Sequence, residues 1–143
     1  MKEATYEVMF TRSAYEVYDA LRHIDSWAHL APNYAFHTHI AQGVSHWTMN
    51  GILPSRPIQA EIRFVKEQRP TILAFTLNGL TEDFLAKGQV IITPTASGCS
   101  MFVQVRAEAT GRSKLLLNPL IHTALPRVTK HLSDKLHHFI EQQ

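Results

Sequence analysis

Three histidines stand close together in this sequence, His37, His39 and His46, and three imidazoles are enough to hold a divalent metal. An i, i+2 pair shares one face of a strand, and His46 falls where a neighbouring strand would return. The alternation of the residues around them sets all three opposite an apolar face, in solvent, with no obvious carboxylate to orient the rings. We therefore assign no metal ligand. Four further histidines, His122, His131, His137 and His138, fall near the C-terminus. A solvated helix face accounts for them, and His122 is the one whose reference pKa of about 6.5 would serve proton transfer at a cavity mouth.

Nucleophilic chemistry needs a hydroxyl or thiol beside a base, yet the chain has no Gly-x-Ser-x-Gly and no Cys-His pair of recognisable spacing. Its six glycines are scattered among turns and strands and form no phosphate loop or dinucleotide fingerprint. Arg106 and Glu108 read as a surface ion pair. No catalytic residue and no cofactor is assigned. The single cysteine, Cys99, excludes an intramolecular disulfide and reads as a small buried apolar residue.

These residues must be positioned by one domain, residues 1–143, because that length suits a single core and neither a linker nor a repeat interrupts it. A formal charge of +2, evenly spread, gives no basic stripe for nucleic acid. The start of the chain runs into a strand pattern without an apolar leader, and no stretch reaches ~18 consecutive apolar residues. The expectation is a cytoplasmic protein whose membrane contact, if any, is peripheral.

Tyr6, Val8 and Phe10 alternate with Thr5, Glu7 and Met9, as in a half-buried strand. Ser13 and Glu16 then form a capping-box signature, with Val17, Leu21 and Ile24 at helical spacing. Asp25-Ser26 opens a second short helix that Pro32-Asn33 ends. From Tyr34 the chain reads as six strands joined by short turns, an antiparallel meander. A two-residue loop at Gln42-Gly43 pairs His39 with His46 and Thr38 with Trp47. That register puts Phe36, Thr38 and Ile40 on the apolar face with Ser45, Trp47 and Met49.

Ile58, Ala60, Ile62 and Phe64 alternate with polar neighbours, as do Met101, Val103, Val105 and Ala107. Phe84, Ala86, Gly88, Val90 and Ile92 share a face by the same count, and the small residues among them could leave room above the sheet. Leu117, Ile121, Leu125, Val128, Leu132, Leu136 and Phe139 then recur every three or four residues along one long helix. Its start is either Asn118-Pro119, as cap and first turn, or the preceding leucines. Pro126 should bend it. Helices segregated from an antiparallel sheet make an α+β fold, and a sheet this long must curl.

This order resembles that of the START-like, or SRPBCC, superfamily over nearly the whole chain. The opening Phe10-Thr11-Arg12-Ser13-Ala14-Tyr15-Glu16-Val17-Tyr18, followed by Ile24-Asp25-Ser26-Trp27 and Pro32, is similar to bacterial polyketide cyclase/dehydrase-like proteins and to the G subunit of carbon monoxide dehydrogenase. Ser45-His46-Trp47 and Arg56-Pro57-Ile58-Gln59-Ala60-Glu61-Ile62 resemble the former, and the long tail the latter. The resemblance implies a helix-grip fold: a curved seven-stranded antiparallel sheet wrapped on a long C-terminal helix, with two short helices after the first strand and an apolar cavity beneath the last.

The expected partner is a small hydrophobic ligand, lipid, quinone or polyketide-like, held by Phe36, Thr38, Trp47, Met49, Ala60, Ile62, Phe64, Phe75, Gly88, Val90, Met101, Val103, Val105, Ile121, Leu125 and Val128. Thr38, Ser45, Thr76 or a helix histidine would orient it. The alternatives are a polyketide cyclase or dehydratase, which needs an acid or base inside the cavity, and an accessory protein of a molybdenum hydroxylase or membrane system. For the latter, Arg112, Lys114, Arg127, Lys130 and Lys135 would help the last helix dock a protein or membrane partner.

Overall fold

The computed structural model describes residues 1–143, the side chain of residue 113 excepted. Strand β1 (Lys2–Phe10) leads through Ser13 into α1 (Ala14–Arg22). The capping box forms as the sequence predicts: the Ser13 hydroxyl accepts from the Glu16 N–H, and the Glu16 carboxylate accepts from the Ser13 N–H, both at 3.2 Å. A short α2 (Ile24–Trp27) and a 3-10 turn (Ala28–Leu30) follow. Trp27 locks this connector by donating its indole N–H to the Leu21 carbonyl at 2.9 Å.

The meander consists of β2 (Tyr34–Ala41), β3 (Val44–Met49), β4 (Ile58–Gln68), β5 (Ile72–Gly79), β6 (Phe84–Thr95) and β7 (Gly98–Ala109). All neighbours are antiparallel, and the seven-stranded sheet has the order β1-β7-β6-β5-β4-β3-β2. Helix α3 (Lys114–Glu141) crosses its concave face. It leans on β1 and β7 and meets the connector at the 3-10 turn, which leaves the inner faces of β3 to β6 to be covered only in part. Among the described residues no helix is long and apolar enough to cross a membrane.

One register departs from expectation. The turn at Gln42-Gly43 forms, with Gly43 at φ 75°, and Ala41 pairs with Val44. Ile40 is then bulged, so His39 faces Ser45, Thr38 faces His46 and His37 faces Trp47. One extra residue inverts the side chains from His39 to Phe36, until a second shift between Tyr34 and Phe36 returns Tyr34 to the face of its partner Met49. Phe36 and Thr38 therefore lie on the convex side, where Phe36 is 54% exposed, the bulged Ile40 is exposed as well, and His37 and His39 turn to the face of Ser45 and Trp47.

The α3 start also differs from the Asn118 alternative. The helix begins at Lys114 with Pro119 and Pro126 both inside it, and the Asn118 amide instead accepts from the Ala109 N–H at 2.8 Å, closing the end of β7. Arg106 pairs with Glu3 on β1 at 3.4 Å rather than with Glu108. Two apolar clusters result. The larger joins α1, α2, the sheet and the second half of α3 around Val17, Tyr18, Ile92 and Met101. The smaller joins Met49, Leu53, Ile58, Ala60 and Ala109 to Leu117 at the start of α3.

Candidate functional site

Between the sheet and α3 lies a cavity of about 190 Å³. Alternation aims its walls: Trp47 and Met49 come from β3, Ile62 and Phe64 from β4, Phe75 from β5, Val90 from β6, and Met101, Val103 and Val105 from β7. Leu125 and Val128 close it from α3. The structure thus brings most of the expected residues into one space.

Five expected residues lie elsewhere, each for a packing reason. Phe36 and Thr38 are turned out by the bulge at Ile40. Ala60 is fully buried in the smaller cluster, beside Met49 and Leu117, and Ile121 packs against that same cluster. Gly88 faces the concave side but is roofed by Phe75, its cross-strand partner: a Cβ built there would stand 2.3 Å from Phe75 Cζ. Thr76 pairs with Arg63 and Lys87, on the face opposite Phe75 and Leu77, so it does not reach the cavity. Ser45 is buried and donates its hydroxyl to the Thr38 carbonyl at 3.4 Å.

Other residues line the cavity without having been expected there. Leu73 and Leu77 flank Phe75 in strict alternation, a signal the sequence does carry, and Ala86 supplies the space its small side chain suggests. Leu21, Trp27 and Pro32 close the connector end, which only the tertiary fold reveals. On α3, Thr129, Leu132, Ser133 and Leu136 join the wall. Thr129 and Ser133 are both buried, and their polarity hides them within the apolar stripe although they fall on its 3.6-residue period.

The three histidines do not converge. His39 Nδ1 sits 2.6 Å from one Asp25 oxygen and His37 Nε2 sits 3.6 Å from the other, while the Tyr34 hydroxyl lies 2.7 Å from His37 Nδ1. This cluster ties α2 to the edge strand. His46 is on the convex face, 2.9 Å from Glu61, and the bond from His46, with Arg63 beyond it, holds Glu61 below the ordinary carboxylate range. Carboxylates absent from the local sequence are thus supplied by α2 and β4. Among the described residues no group of three could hold a metal ion. His122 lies outside the cavity, beside Glu3, Glu108 and Asn118, and His137 packs on Phe10. Burial pushes the Cys99 thiol upward, as expected of a packed thiol.

No protein-family model and no curated protein matches the chain. Solved structures do. A START superfamily protein from Mycobacterium smegmatis superposes with a TM-score of 0.76 at 11% identity, covering 98% of this chain and 97% of that one. Ara h 8.0201 gives 0.72 at 11% identity, covering 99% of both chains. The di-domain ARO/CYC StfQ from the steffimycin biosynthetic pathway gives 0.72 at 13% identity, covering 98% of this chain and 51% of that one. Identities this low speak to architecture alone: the chain has the START-like, or SRPBCC-like, helix-grip fold.

Proposed function

We propose that this chain binds and carries a small hydrophobic molecule in the cavity between the sheet and α3. The observation that carries the proposal is the cavity wall: side chains from five strands, the connector and α3 converge on a space that no side chain fills. Burial of an apolar ligand there is favourable by about 25 cal/mol for each Å² removed from water, with no catalytic group required.

Cyclase or dehydratase chemistry needs an acid or base against the substrate. The cavity wall offers no histidine, carboxylate or lysine, and the candidate base His122 lies outside it, which favours binding over proton transfer. Pockets for larger ligands ordinarily span roughly 300 to 1,000 Å³, more than the 190 Å³ present. Holding a long lipid, quinone or polyketide would require α3 or the connector to move outward.

The test is native mass spectrometry of the purified protein, with organic extraction and mass analysis of what it releases. A single defined apolar molecule in one-to-one ratio is the expected result. Apo protein that also takes up no added apolar compound would refute the proposal.

A further inference from the structure

Helix α3 turns Leu125 and Val128 to the cavity, and its outer side carries a pattern that the cavity does not explain. Leu115 is 89% exposed, Leu116 54% and Leu120 40%, all within about two turns of the helix start. Leu116, Leu120, Thr123, Arg127 and Lys130 follow one another in steps of four and three, every one exposed, and so share one outer face. Single leucines on a surface are ordinary, whereas a contiguous apolar patch marks a surface that meets something. Two turns of the sheet add to this one. Leu53 joins Leu117 in the smaller cluster, and the Thr110 N–H donates to the Asp83 carbonyl at 2.8 Å, which brings the exposed Ile52 and Leu80 to the same end of the molecule.

Charge narrows what covers the patch. From Lys114 to Ser133 the helix has no Asp or Glu, while Lys114, Arg127 and Lys130 stand exposed along it and Arg112 just before it. This runs against the helix's own electrostatics, because the N-terminal end of the macrodipole is positive and favours acids, and the first turn has none. The carboxylates at this end belong to the sheet and its turns: Glu82, bound by Arg56 at 2.7 Å, Asp83 beside Gly111, and Glu108 on β7. Leucines offer nothing to a nucleic-acid backbone, and a second copy docked by the same face would set these cations against one another. Leucines ringed by Lys and Arg suit the boundary of an anionic bilayer, where the apolar side chains reach the acyl layer and the cations meet lipid phosphates. Going beyond the carrier function, we infer that the outer face of α3 from Leu115 to Lys130, with Arg112 beside it, docks the protein on an anionic membrane surface.

Flotation of the full chain with vesicles of phosphatidylcholine, alone or with about 30% phosphatidylglycerol, tests this. Binding is expected to be at least about tenfold tighter to the anionic vesicles and to weaken severalfold in high salt. Leu115→Gln with Leu116→Gln should weaken it by about tenfold or more, and Arg127→Gln with Lys130→Gln by about tenfold. Glutamine is a good helix former and all four positions are exposed, so both double variants should keep the wild-type denaturant midpoint and take up indane from solution as wild type does. Equal binding to both vesicle types, no binding, or anionic binding that either pair of changes leaves as it was overturns the inference. So does a concentration-dependent dimer that the leucine changes dissolve, which would assign the face to a second copy. Uptake of indane by wild type is measured without vesicles, so the carrier function and the docking face fail independently.

Discussion

Ala86→Phe should abolish uptake of small apolar molecules, by more than ~50-fold in affinity, and leave the protein folded. Ala86 is buried on β6 and its methyl group lines the cavity. A phenyl ring placed there is itself about the size of the ligand that such a space admits, so it occupies the site from within. Overpacking a filled core costs about 1–3 kcal/mol, but this ring enters free volume, and a stability change within about 1 kcal/mol is expected. Ala60→Trp provides the contrast. Ala60 is fully buried away from the cavity, packed beside Met49, Ile58 and Leu117, so that change should cost stability of at least about 1–3 kcal/mol. Titration calorimetry and denaturant unfolding read both variants. An Ala86→Phe protein that binds indane as wild type does would mean that ligands sit elsewhere.

Gly88→Ala should carry the second large effect, through a neighbour. The added Cβ would stand 2.3 to 2.9 Å from three atoms of the Phe75 ring, which must therefore leave its place over the glycine. An aromatic ring covering a cross-strand glycine is a recognised packing device in sheets. Phe75 lines the cavity, and the cavity is the free space beside it, so the displaced ring should swing inward and take volume from the ligand. A loss of about tenfold or more in indane affinity is expected, with a stability cost on the order of 1–2 kcal/mol for the displaced contacts. The coupling is checked by a second change: Phe75→Leu in the Gly88→Ala background should recover much of the binding, because the shorter side chain clears both the new methyl group and the cavity. If the double variant binds no better than Gly88→Ala, the ring does not transmit the effect.

The fold is largely legible in the sequence because its signals extend over whole elements. Ser13 and Glu16 mark the start of α1, and alternation along β4 from Ile58 to Phe64, along β6 around Val90 and along β7 around Val103 fixes which side faces in. The site is less legible because it depends on single positions. No glycine or proline announces the bulge at Ile40, yet it reverses Phe36, Thr38, His37 and His39 and redirects two histidines to Asp25. Alternation puts Ala60 and Gly88 on the inner face, but what covers them, Leu117 with its cluster and the Phe75 ring, is decided by tertiary packing. Thr129 and Ser133 escape notice for the opposite reason: a search for apolar periodicity passes over hydroxyls that lie on the same stripe.

The central claim is that the space beneath α3 is where an apolar molecule sits, and methyl-resolved NMR of the protein titrated with indane tests it most directly. Saturable shifts are predicted for the methyl groups of Val90, Val103, Leu125, Val128 and Leu132, which line the cavity, while the exposed Leu115, Leu116 and Leu120 at the start of α3 stay unmoved. Shifts confined to those outer leucines, or none at all up to the solubility of indane, would contradict it.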